Sequence, residues 1–277
     1  MVRSSLLSAL LLVACGTEGE AVPSQALSLS FQDLPDLGPD YVYEAWVVGD
    51  DGPVSAGRFS AQTASEGVFG VNVQGAFKMH ITIEPVADAS AEWSETHVLY
   101  GEFEDGVAEL RAFGPAILPP DFREVMGGFT LAAPTDSGAA PENGIWFLDA
   151  SGSEPAASLR LPTLPEGWIY EGWVVGADGP VSLGTFRDEG GADSDGAGPS
   201  AGPLDAPPFP GQDFITPPID LTDGYSAVIS VEPFPDNDPA PFQLKPLGAS
   251  IGPETGVVQA LNNVIGENDI LGTAVLQ

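Results

Sequence analysis

Apolar and polar residues alternate over 77–84, with Phe77, Met79, Ile81 and Ile83 on one side and Lys78, His80, Thr82 and Glu84 on the other. A period of two sends successive side chains to opposite faces, so the stretch is predicted to be a half-buried strand with His80 on its solvated face. Pro85 has no N–H to donate and ends the pairing. The pattern returns at 225–232, where Tyr225, Ala227, Ile229 and Val231 take the apolar face and Val228 replaces His80, again ahead of a proline, Pro233. Stretches 41–48 and 168–175 are β-branched and aromatic on both faces, as in strands covered on each side. Each runs into Asp, Gly and Pro residues, at 50–53 and 177–180, that predict a reversal. Further strands are predicted at 27–31, 98–103, 107–113, 129–132, 145–148 and 242–247, and helical signal is confined to 121–126 and 257–265. Many short strands between turn signals predict an all-β chain with two tandem antiparallel β-sandwich modules of immunoglobulin-like type.

The two modules are copies. Residues 34–59 and 161–186 agree at 16 of 26 positions at an offset of 127, while 77–85 and 225–233 align at an offset of 148. The difference places an insertion in the second copy, and 187–218, rich in Gly, Pro, Ser and Asp, is expected to be that disordered, solvated excursion. A weaker match sets 126–131 against 271–276. The expected modules are 27–150 and 151–277. Segment 144–149 has no counterpart in the second copy; it either closes the first sheet or opens the second module.

The N-terminus predicts an address. Arg3 precedes an apolar run over 6–14, broken only by Ser8, and a small residue then precedes the sole cysteine, Cys15. Such a run is too short to span a hydrocarbon core of ~30 Å. Leu12, Val13, Ala14 and Cys15 resemble the lipobox of bacterial lipoproteins. The resemblance implies a signal peptide at 1–14, removed before Cys15, a diacylglyceryl group on the thiol, and a tether over 15–26. Two acyl chains suffice for stable anchoring, so the expected place is the cell envelope, outside the cytoplasm, at the outer membrane or the outer face of the plasma membrane.

Charge and chemistry narrow the function. Forty Asp and Glu against eight Lys and Arg give a net charge of −32, which repels phosphate backbones and excludes a general nucleic-acid binder. One cysteine excludes intrachain disulfides and multi-cysteine metal sites. No Gly-x-Ser-x-Gly elbow is present, and His80 and His97, the only histidines, lie in no active-site motif. Glu44, Glu84, Glu171 and Glu232 recur in both copies and invite a paired-carboxylate reading as in glycosidases. They recur together with fold-defining neighbours, however, and a strand-end role or a hydrogen bond inside each module explains them more simply. Asp50, Asp51, Asp193, Asp195, Asp236 and Asp238 fit no spaced calcium loop, and Trp46 and Trp173 read as core. No cofactor, resident metal or catalytic residue is expected.

The run Tyr-Glu-x-Trp-Val-Val, then Asp-Gly-Pro-Val-Ser-x-Gly-x-Phe, then a strand closing in Glu-Pro, resembles the extracytoplasmic C-terminal domain of anti-sigma-K factors. In the first copy it falls on Tyr43, Glu44, Trp46, Gly52, Pro53, Gly57, Phe59, Glu84 and Pro85. The second carries it on Tyr170, Glu171, Trp173, Gly179, Pro180, Gly184, Phe186, Glu232 and Pro233. The His-x-x-x-Cys-x-x-Cys motif of that family's sigma-binding domain does not occur here. The resemblance implies an exported β-rich binding or sensing domain, not an enzyme. Its expected partners are the membrane, through the lipid on Cys15, and an envelope protein or glycan. A hydrolytic, carbohydrate-active enzyme and a structural envelope protein are the alternatives.

Overall fold

A computed structural model describes residues 24–64, 68–88, 90–114, 117–235 and 238–277. The first half contributes β1 (Gln25–Gln32), β2 (Tyr41–Gly49), β3 (Gly52–Phe59), β4 (Val68–Val71) and β5 (Lys78–Pro85). It continues with β6 (His97–Glu102), β7 (Val107–Arg111), β8 (Gly127–Leu131), β9 (Gly144–Trp146) and β10 (Leu148–Asp149). The second half holds β11 (Ala156–Ala157), β12 (Trp168–Gly176), β13 (Gly179–Phe186) and β14 (Gly211–Asp213). It ends with β15 (Ser226–Pro233), β16 (Leu247–Ser250), β17 (Val258–Asn263) and β18 (Leu271–Leu276).

The all-β expectation holds, but each module is one curled sheet in place of two packed sheets. The first has the order β3-β2-β5-β6-β7-β18-β1-β4 and the second β13-β12-β15-β16-β17-β8-β9-β14, with all ladders antiparallel. In the first, the two edge strands β3 and β4 lie side by side, and Phe59 and Phe69 pack across them with ring centres 5.8 Å apart. The sheet is therefore nearly a barrel. Its inner face carries Tyr43, Ala45, Val47, Met79, Ile81 and Ile83, as the alternation in the sequence predicts.

Hairpins β2–β3 and β12–β13 follow from their turns. Gly49 pairs with Gly52 and Gly176 with Gly179, leaving two-residue loops at 50–51 and 177–178. A bulge interrupts each hairpin, between Ala45 and Trp46 and between Glu171 and Trp173. Gly57 and Gly184 stand in these hairpins at φ of 139° and 91°, a region that side-chain-bearing residues rarely enter.

Sheet membership does not divide at residue 150. The last strand, β18, lies between β7 and β1 of the first sheet, whereas β8 lies between β17 and β9 of the second. These are the two segments, 126–131 and 271–276, that match in sequence, so the copies have exchanged equivalent strands. The open question about 144–149 is thereby answered: β9 opens the second module, in the place that β1 takes in the first. The crossing chain is wedged between the barrels by a 3-10 turn, Pro120–Glu124, where a helix was predicted. Its Phe122 is buried between Phe113 and Tyr170, at 5.1 and 6.3 Å between ring centres, and Asn263 donates to its carbonyl at 2.9 Å.

Three further expectations are corrected. Of residues 257–265, Val258–Asn263 form strand β17, because pairing with β8 and β16 outweighs a weak helical propensity, and Ile265 opens a 3-10 turn, Ile265–Glu267. Strand β16 begins at Leu247 and not at 242; before it, Val231 donates to the Leu244 carbonyl at 2.8 Å outside a regular ladder. The insertion 187–218 is not a free excursion. It carries β14, and Ser194 donates to Thr185 of β13 at 2.9 Å while Gly211 of β14 donates to the Asp193 carboxylate at 2.8 Å. The insertion thus bridges the seam of the second barrel.

That seam contains a buried carboxylate. Asp213 accepts the Trp146 indole N–H at 2.8 Å, the Thr135 N–H at 2.9 Å and the Thr135 hydroxyl at 2.5 Å. Burial pushes its pKa up while these three donors pull it down. Replacing Asp213 by Ala strands three buried donors, each costing ~1–3 kcal/mol. The expected loss is therefore at least about 3 kcal/mol in denaturant unfolding, with Asp213→Asn losing less; a loss below about 1 kcal/mol for Asp213→Ala would contradict the assignment.

A candidate binding groove between the barrels

The residues that recur in both copies have internal tasks. Trp46 donates to the Thr82 hydroxyl at 3.0 Å, and Thr82 donates to Glu84 at 2.5 Å. In the second copy Trp173 donates to Ser230 at 2.7 Å, and Ser230 donates to Glu232. Glu44 accepts Ser55 at 2.5 Å and the Arg58 guanidinium at 2.8 Å, and Glu171 accepts Ser182. All four glutamates are buried. Their carboxylates are engaged by hydroxyls and N–H groups of the fold, in keeping with the hydrogen-bond reading.

Four of the recurring side chains also pin loops. The Tyr43 hydroxyl donates to the Pro35 carbonyl at 2.8 Å and so fixes the segment before β2. Tyr170 does the same before β12, donating to Pro162 at 2.7 Å. Glu84 accepts the Ser94 N–H at 2.9 Å and holds the loop after β5. Glu232 accepts the Phe242 N–H at 2.9 Å and holds the loop after β15. These four loops meet between the barrels.

They enclose two adjoining hollows. In one, of about 470 Å³, residues 35–41 of the first copy face residues 238–243 of the second. In the other, of about 680 Å³, residues 94–96 of the first copy face residues 166–167 of the second. Each hollow thus sets the loop before the long strand of one copy against the loop after the closing strand of the other, as a two-fold relation between repeats requires. Tyr41, Ile83, Pro233 and Pro235 line both hollows and make them one groove. The Thr96 hydroxyl bonds the Gly167 carbonyl across it at 3.2 Å, and Phe234, 49% exposed, lies under the Arg187 guanidinium at 5.1 Å. Apolar walls with a few polar groups are what ligand sites of this volume generally present.

The histidines depart from expectation. His80 is buried, not solvated, because the loop after β5 folds over the outer face of the sheet and brings Trp93 onto Trp46 and His80, at ring distances of 6.0 and 5.1 Å. The Nδ1 atoms of His80 and His97 are 3.1 Å apart, so one ring donates to the other. The Nε2 of His80 is buried with no partner, which favours His80 as the Nδ1 donor, since a lone pair is cheaper to strand than an N–H. Burial lowers both pKa values from 6.5 to about 4.

The remaining acids scatter, and Asp236 lies outside the described residues. Asp50 and Asp51 form the β2–β3 turn, Asp238 accepts the Ala240 N–H at 2.9 Å, and Asp193 and Asp195 come together at the second seam. Burial and the neighbouring Asp195 push Asp193 up to about 7, against the pull of the Gly211 N–H. Among the described residues no group of three or more His, Cys, Asp or Glu is placed to hold a metal ion. Likewise no described helix is long and apolar enough to cross a membrane. Cys15 and the expected signal peptide lie outside the described residues. Sequence reasoning missed the groove entirely; its only trace was the recurrence of Tyr43, Glu84, Tyr170 and Glu232 next to proline-rich stretches.

No curated protein and no solved structure matches the chain. Residues 20–97 match the family described as "Anti-sigma-K factor rskA, C-terminal", so the first copy, with its loop-pinning Tyr43 and Glu84, resembles the C-terminal domain of anti-sigma-K factors.

Proposed function

We propose that the protein is a lipid-anchored extracytoplasmic lipoprotein that works by binding or sensing through the groove between its barrels, and not by turnover. The observation that carries the reading is that side chains recurring in both copies pin the groove walls, two of them, Tyr43 and Glu84, within the stretch that matches the anti-sigma-K C-terminal domain. A fold whose repeated residues are spent on shaping one groove is suited to recognition. The carboxylates that a hydrolase would need are instead tied up within the sheets.

Anchoring rests on Cys15 and the apolar run before it. Cells grown with labelled palmitate are expected to label the wild-type chain and not a Cys15→Ala variant, which would also leave the membrane fraction. Equal labelling of both chains would remove the anchor from the proposal.

A further inference from the structure

The walls of the groove are rich in prolines and acids, beside the neutral side-chain donors Tyr41, Ser94, Thr96 and Gln243. Pro35, Pro39, Pro233, Pro235, Pro239 and Pro241 all line it, and a proline contributes a carbonyl but no N–H. The charged side chains around it are mainly acceptors too: Asp36, Asp40, Glu95 and Glu166 are exposed on its rim. The one guanidinium there, Arg187, already rests on the exposed Phe234 ring at 5.1 Å, a cation–π arrangement that stabilises by ~0.5–1 kcal/mol at an exposed site. The groove therefore contains, in its own sequence, an example of the chemistry it accepts.

A ligand that fits must bring donors and positive charge, offer apolar surface to Tyr41, Ile83 and Phe234, and be long enough to run through both hollows. A glycan offers no positive charge, and phosphate-bearing partners are repelled by a chain of net charge −32. We infer that the groove binds an extended, cationic peptide segment in which Arg or Lys alternates with apolar residues, the basic side chains reaching Asp40 and Glu166 and the apolar ones lying on the proline-lined floor. This assignment rests on the binding role proposed above and names the class of its partner.

The test uses the full chain in detergent and a labelled (Arg-Pro-Leu)₃ peptide, with (Glu-Pro-Leu)₃ as the reversed-charge probe, followed by fluorescence anisotropy. Binding of the arginine peptide alone is expected. The double variant Asp40→Lys and Glu166→Lys should weaken it at least ten-fold, and Phe234→Ala several-fold. Both acids are exposed, so the folded state should survive, which near-ultraviolet circular dichroism checks. Asp178→Lys combined with Glu254→Lys makes the same change in net charge at exposed positions away from the groove and should leave affinity within two-fold. Absence of binding, equal binding of the glutamate peptide, or equal weakening by the remote pair would each overturn the assignment. Crosslinking of the wild-type chain in intact cells separates the two levels: a protein crosslinked through the groove that carries no basic segment defeats the peptide assignment and leaves the binding role standing.

Discussion

Removing residues 271–277 is expected to unfold the first barrel, although no other strand of its sheet lies beyond residue 111. Strand β18 is an interior strand there, paired with β1 from Leu27↔Leu276 to Gln32↔Leu271 and with β7 from Val107↔Val275 to Arg111↔Leu271. Its Ala274 is fully buried, and Ala26 and Gln277 exchange hydrogen bonds at 2.8 and 2.9 Å. Deletion opens two ladders at once and separates β1 and β4 from the rest of the sheet. The ladder hydrogen bonds lost, at ~0.5–1.5 kcal/mol each, together with the apolar surface uncovered, are comparable with the ~5–15 kcal/mol that stabilises an ordinary domain. Hydrogen exchange is the suitable measurement: amides of β2, β5 and β7 should lose protection in the truncated chain while those of β12 and β15 keep it. A synthetic peptide of residues 271–277 added in excess should restore part of the lost protection. Unchanged protection in the first barrel after truncation would show that β18 is dispensable.

The second large effect is a fall in stability with acid that one substitution relieves. His80 and His97 are held neutral in the native state with pKa values lowered from 6.5 to about 4 by burial, and His80 also by the charges of His97 and Lys78. Between those values the unfolded chain takes up protons that the native chain refuses, so stability is present above pH 6.5 and is lost as pH falls toward 4. Each histidine contributes a loss of roughly 2 kcal/mol between pH 7.5 and pH 5. Asp193 acts in the opposite sense, since its raised pKa of about 7 makes the native state gain stability as pH falls through that value. The wild-type profile is the sum, so the histidine part is isolated by comparison. His80→Val is the informative variant because Val228 occupies the same position in the second copy, opposite Trp173 as His80 is opposite Trp46. Its unfolding free energy should gain on the wild type by about 2 kcal/mol between pH 7.5 and pH 5, measured by urea titration at each pH. Parallel pH profiles for the two chains would rule out the histidine pair as the cause.

Much of this fold was legible from local pattern, and the failures share a cause. Alternation fixed the inner face of β5, and the turn residues at 50–53 and 177–180 located both hairpins, because those features depend on neighbours in sequence. The same alternation misjudged His80, because it distinguishes the two faces of a strand and is silent about a loop that later covers the outer one. Residues 187–218 read as mobile for want of periodicity, yet their bonds go to distant partners such as Thr135 and Phe147. The strand exchange was hidden by the repeat itself: two segments of similar pattern can each complete either sheet, and only the connecting chains decide which they complete. The groove is further still from local reach, since each hollow is made of loops from both copies.

The exchange of β8 and β18 also sets an order of events during synthesis. The second barrel receives β8 and β9 early and needs nothing beyond β17, so it can close as soon as residue 263 is available. The first barrel begins at residue 25 yet stays incomplete until residues 271–276 have emerged. Pairing the two ends of the chain is a closure of high contact order, which is slow to form. The half made first is therefore finished last, and a chain interrupted before residue 271 would hold one closed barrel and one frayed sheet.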